Sequence, residues 1–114
     1  MTSIAERTLA VQLEQAGIPF EAEYKFHPER RWRADFLLRT FIRGGEVHGF
    51  RPMLVEVEGG SFTGGHKRGK AYESDCEKHN AASLLGFRTL RFTPAMVEDG
   101  RALEWIRQAL GLVA

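Results

Sequence analysis

The sequence holds a single cysteine, Cys76, so no disulfide can form within the chain and a fold stapled by cross-links is excluded. That usage fits a reducing compartment, and the expected location is the cytoplasm. No apolar run reaches the roughly 18 residues that a membrane helix needs, so no membrane partner is expected. The opening stretch MTSIAERTLAVQLEQAG carries charges throughout and lacks the apolar block of a signal peptide. A surplus of either charge is missing too, since 16 Lys and Arg against 15 Asp and Glu leave a net charge of +1. A strongly basic nucleic-acid binder is thereby excluded, although a nucleic-acid partner is not. Repeats, linkers and low-complexity tracts are absent. The glycines of loop 59–69 lack phosphate-loop spacing, so no nucleotide cofactor is expected. What remains is ordinary globular material: 114 residues, 43% hydrophobic and 27% charged. That is enough for a single domain over 1–114 with its own core.

Periodicity supplies the elements. Ile4, Leu9, Leu13 and Ala16 recur at helical spacing over 4–16. Ser3 and Glu6 match a capping box ahead of them, and Gly17 supplies the stop. Phe20, Ala22, Tyr24 and Phe26 alternate with Glu21, Glu23 and Lys25, which predicts a strand over 19–27 and a polar turn over 27–31. A second strand is predicted over 32–40, with Ala34, Phe36 and Leu38 on one face and Arg33, Asp35 and Leu37 on the other. Gly44-Gly45 marks a turn. The third strand, 53–58, sets Val55 and Val57 against Leu54, Glu56 and Glu58. A helix over 71–85 is ended by Gly86, and a strand over 88–93 turns Leu90 and Phe92 inward. Thr93-Pro94 is a cap followed by proline. The helical stretch 95–110 is broken near Asp99-Gly100, with Leu103, Ile106 and Leu110 on its inner stripe. The order α-β-β-β-α-β-α predicts an α/β domain, with a mixed central sheet of about four to five strands flanked by helices.

Three carboxylates stand where a strand normally avoids them. Glu56 and Glu58 share a face about 7 Å apart at the usual strand rise. Asp35 can project to the same side if strands two and three pair. Crowded acids repel, and a hard divalent cation relieves them; oxygen ligands suit magnesium or manganese. Such an ion stabilises charge on a phosphate and prepares a water nucleophile, as phosphodiester cleavage requires. The plain alternative is a wet strand face with solvated glutamates.

Asp35 in RADFLL and the spaced pair Glu56-Val57-Glu58 in LVEVEGG, set in this element order, resemble the PD-(D/E)XK nuclease superfamily. The resemblance spans nearly the whole chain and implies a restriction-endonuclease-like core. It implies metal ligation by Asp35, Glu56 and the carbonyl of Val57, with Mg2+ as cofactor and Mn2+ as a substitute. EVEGG, the HKRG stretch, DCEKHNAA and LLGFRTLRFTP look like small phage-type and bacterial endonuclease domains of that superfamily. The Glu6-Arg7 pair, followed eleven residues later by Gly17, is similar to the first helix of archaeal-type Holliday junction resolvases, which would add Glu6 to the metal site. Two readings of Glu6 stand side by side: the capping box, or an inward position beside Leu9, Ala10 and Leu13.

The sequence departs from the family in placing Glu58 where a lysine usually stands. Some restriction enzymes of the superfamily have a glutamate there, which implies a base or second-metal ligand at Glu58; the alternative is a lysine that has migrated. Lys78 is the candidate, on a helical stripe with Ala71, Ala81, Ala82 and Leu85, where it equally well snorkels to solvent. Lys70 and His66 are weaker candidates. Arg30, Arg31 and Arg33 on one side, and His66, Lys67, Arg68 and Lys70 on the other, suit DNA-backbone contacts or plain solvated surface. Phe62 suits a wedge against a base or a dimer contact. Asp75, Cys76 and His79 do not make up a zinc set.

The resemblance implies a Mg2+-dependent DNA endonuclease. The first expectation is a homodimer resolving branched DNA of the Holliday junction kind, in recombination or repair. The alternatives are a mismatch- or sequence-directed nicking enzyme similar to very-short-patch repair endonucleases, an inactive DNA-binding module, and a small-molecule hydrolase.

Overall fold

The computed structural model of the protein describes residues 3–58 and 69–112. Helix α1 (Ile4–Gln15) starts where the Ser3 hydroxyl accepts the Glu6 N–H at 3.1 Å, satisfying one of the free donors of the first turn. It ends at Gly17, whose φ of +72° lets the Ile18 N–H turn back to the Leu13 carbonyl at 3.0 Å. That closure buries Ile18 beside Leu13, the apolar contact that usually accompanies such a stop.

Strands β1 (Glu21–Lys25), β2 (Arg33–Arg43) and β3 (Glu46–Val57) follow, then helix α2 (Gly69–Leu84), strand β4 (Arg88–Phe92) and helices α3 (Pro94–Glu98) and α4 (Arg101–Ala109). The sheet has four strands in the order β1-β2-β3-β4. The β1–β2 and β2–β3 pairings are antiparallel. The β3–β4 pairing is parallel, so the sheet is mixed and the α/β class holds. Parallel neighbours need a crossover, and α2 lies in that connection.

Helices flank the sheet unequally. On one face α1, α3 and α4 enclose the main cluster, with Leu9, Leu13, Met53, Val55, Val97 and Ile106 all buried. On the other face Phe26, Ala34, Leu37 and Leu54 cluster with Ala82, the buried residue of α2.

The observed order matches the predicted one, with local corrections. β3 begins at Glu46 instead of Met53, because the Gly44-Gly45 turn starts a ladder that pairs Arg43 with Glu46 and Ile42 with Val47. Residues 46–52 show no alternation, and a register shift between Leu38 and Thr40 allows the irregular stretch to pair. Ala34 packs with Leu37 and Leu54, not with Phe36 and Leu38. The alternation slips next to Asp35, where Glu23 of the neighbouring strand takes φ +52°. Ile4 and Leu85, expected on buried stripes, are 75% and 46% exposed. Ile4 opens α1 and Leu85 follows the last residue of α2, beyond the reach of the sheet.

Candidate active site

The acidic cluster forms where β2 and β3 part. Their ladder runs to Phe36 opposite Val55. One step further, the Asp35 carboxylate takes the place of a backbone partner, and its Oδ2 accepts the Val57 N–H at 2.7 Å. On its other side β3 stays paired, with Glu56 opposite Arg91 and Val57 opposite Phe92. The tip of β3 is thus held by β4 on one edge and by a single aspartate on the other.

Asp35 is half-buried and its pKa is pushed up to about 6, first by burial; the Val57 N–H opposes the shift, the Glu6 and Glu56 carboxylates add to it and Lys78 reduces it. These influences bring α1, β2, β3 and α2 to one place. Glu6 comes from the first turn of α1, whose Leu9 faces the core one helical step on. Its backbone N–H is the group that Ser3 caps, while its carboxylate acts on Asp35. The Ser3 half of the capping box thus uses only the Glu6 backbone, and the Glu6 carboxylate is the part that acts on Asp35.

Lys78 reaches the cluster from α2. Its ammonium Nζ lies 3.1 Å from Glu56 Oε1, with both side chains largely shielded, at 20% and 23% exposure. Its stripe differs from the expected one: Ala71 and Leu85 are exposed, and Asp75, Lys78 and Ala82 line the inner side. Glu58 answers to a different cation. Its Oε2 lies 3.2 Å from Arg91, which also reaches Asp75 at 3.4 Å. The sequence reading missed Arg91, although the signal was present. With Leu90 and Phe92 turned toward the main core, Arg91 must face α2.

The expected DNA contacts are scattered. Arg33 pairs with Glu23 at 3.4 Å. The Arg30 guanidinium lies 3.9 Å above the Trp32 ring. Arg31 and Lys70 are exposed. Phe62, His66, Lys67 and Arg68 lie outside the described residues.

Among the described residues, no three His, Cys, Asp or Glu side chains gather closely enough to grip a metal ion by themselves. Magnesium does not demand such a cage; it keeps several waters and takes one or two carboxylates together with substrate phosphate oxygens. Asp35 and Glu56 fit that need. Burial and acidic neighbours hold Asp35 partly protonated near neutral pH, a cost that a divalent cation removes. Lys78 supplies the only positive charge that offsets Asp35 among the causes of its shift.

No family model matches the chain, and no curated protein or solved structure matches it at a significant level. Among the described residues, no helix is long and apolar enough to cross a membrane.

Proposed function

We propose that the protein is a magnesium-dependent DNA endonuclease of the PD-(D/E)XK kind, hydrolysing phosphodiester bonds at the cleft between the tip of β3 and helix α2. The observation that carries the reading is the Asp35 carboxylate bonded to the Val57 N–H, with Glu56 and its Lys78 partner beside it. A half-buried aspartate with a raised pKa in such company is a common mark of a working site.

Asp35 and Glu56 would hold Mg2+, with Mn2+ as a substitute, joined by the Val57 carbonyl and by Glu6 at longer range. When bound, the ion supplies Lewis-acid stabilisation of the phosphate and lowers the pKa of the attacking water. The Val57 N–H fixes the orientation of Asp35 through Oδ2. Lys78 takes the place of the lysine that Glu58 displaces. Its ammonium, which pairs with Glu56, would offset charge on the phosphate in the pentavalent transition state. Glu58, held by Arg91 at 3.2 Å, lies at the edge of this site.

Branched DNA is the favoured substrate and a homodimer the favoured state, since symmetric junctions need two cuts. The test is incubation of the purified protein with labelled four-way junction, flap, mismatched duplex, plain duplex and single strand in magnesium. Paired symmetric cuts in the junction are expected. Nicking of mismatched duplex alone would select the repair-type alternative. Binding without cleavage in magnesium or manganese would leave an inactive binding module. Asp35→Asn and Glu56→Gln should each abolish cleavage and preserve junction binding; full activity in either variant defeats the assignment.

A further inference from the structure

A second feature lies at the same end of the sheet. β2 runs antiparallel to β3, so the turn that leads into β2 sits beside the tip of β3. Trp32 precedes Asp35 by three residues, roughly 10 Å of extended chain. Between this turn and α2 runs an open groove of about 410 Å³, within the range of ligand sites. One wall is His27, Arg30 and Trp32; the other is Asn80 and Leu84, with Glu29 and Glu77 at the rim. Glu77, Asn80, Ala81 and Leu84 form one stripe of α2, next to the stripe of Asp75, Lys78 and Ala82.

The groove has the groups that receive a flat heterocycle. Trp32 is backed by Phe26, stacked at 6.3 Å with 15° between the rings. Arg30 lies on the Trp32 ring at 3.9 Å from its centroid. A guanidinium is planar and stacks as a base does, so Arg30 already occupies the position a base would take. The Glu29 and Arg30 N–H groups both donate to His27 Nδ1, at 3.1 and 2.9 Å. A neutral His27 ring must then carry its proton on Nε2, where it can donate to a ligand. The Asn80 amide donates and accepts, and the rim carboxylates accept from an exocyclic amino group. Leu84, 89% exposed, offers an apolar edge left open among the described residues.

We infer that this groove binds one unpaired nucleobase of a DNA strand, stacked on Trp32, while the displaced Arg30 turns to the flanking phosphate. The inference rests on the DNA-nuclease reading and adds that the substrate carries an unpaired base beside the cut. Arginine release matches the charge of the ligand, because the cation freed by the base meets the backbone that delivers it.

The test uses the full chain with Trp105→Phe, which leaves Trp32 as the sole tryptophan, in EDTA so that no cleavage intervenes. Titration with oligodeoxycytidine should quench Trp32 emission, and blunt duplex should not. Trp32→Leu, followed by anisotropy of the labelled strand, should bind about tenfold more weakly, and Trp32→Tyr within about threefold of wild type. Should Trp32→Leu fail to fold, Leu84→Glu alters only an exposed wall and should weaken binding likewise. Unchanged emission with unpaired strands, in a protein that still binds junction or duplex, overturns the inference and leaves the nuclease reading in place. Equal affinity in the folded Trp32→Leu or Leu84→Glu variant also overturns it. Failure to bind any DNA removes both.

Discussion

The two faces of the sheet are built to different standards. The face covered by α1, α3 and α4 is a continuous apolar core, in which Leu9, Leu13, Val55 and Ile106 are fully buried. The face under α2 holds a small apolar cluster at one end and charged pairs at the other, and Ala82 is the buried residue of α2. α2 meets the sheet chiefly through Asp75, Lys78 and Ala82, and it leaves Tyr72, Leu84 and Leu85 exposed. The packed core therefore lies on one side and the clustered charges on the other. Charges that would be costly inside a packed core sit where a lightly attached helix can adjust around them.

Mutation breaks this comparison most strongly in the main core. Leu13→Ala should cost about 3 kcal/mol, since a large side chain is removed from a site with no room to collapse. The melting temperature should fall by more than about 10 °C. Leu84→Ser on α2 should change stability by less than about 0.5 kcal/mol. Paired thermal or urea melts decide the matter; equal losses from the two faces would mean that α2 carries as much of the fold as α1.

Lys78 tests the other half of the contrast. Lys78→Met should lower cleavage about 10- to 100-fold while moving the melting temperature little. It should also displace the pH–rate profile toward alkaline pH. Lys78 is among the groups that hold the Asp35 pKa down, so its loss pushes that pKa higher and delays formation of the carboxylate. Unchanged turnover and an unshifted profile would reduce Lys78 to a structural partner of Glu56.

Much of the well-packed face was legible in the sequence. Leu9 and Leu13, Val55 and Val57, and Leu90 and Phe92 fall at helical or strand spacing, and one-sided burial writes that spacing into the chain. The break at Asp99-Gly100 was legible as well, because Gly100 at φ +89° needs a residue without Cβ. The site was legible in composition but not in geometry. Asp35, Glu56 and Lys78 stand out as charges among apolar neighbours, and their convergence follows from pairing β2 with β3. The exchange of a ladder bond for the Asp35 carboxylate leaves no mark on alternation, and neither does the bend at Glu23 that carries Ala34 to the other face. Partition of the glutamates between Lys78 and Arg91 depends on how α2 lies over the sheet, and a helix with one buried residue has too faint a stripe to declare its orientation.

The effect of pH is the most specific. Asp35 has its pKa raised from 3.8 to about 6, so the folded protein binds a proton there more tightly than the unfolded chain does. The associated stability is fully present below about pH 3.8 and is lost as pH rises through about 6. Near pH 8 the ionised Asp35 is a liability to the metal-free fold. Asp35→Asn removes the charge, and its amide oxygen can still accept the Val57 N–H. The variant should thus be more stable than wild type by about 1 kcal/mol at pH 8, allowing for solvent screening of a half-exposed group, and nearly equal to it at pH 4. Saturating magnesium should reverse the order at pH 8, because the ion stabilises only the protein that binds it. Melts at the two pH values, with and without magnesium, give four numbers. A variant less stable than wild type at pH 8 without metal would mean that the Val57 hydrogen bond outweighs burial, and that the carboxylate serves the fold before it serves any reaction.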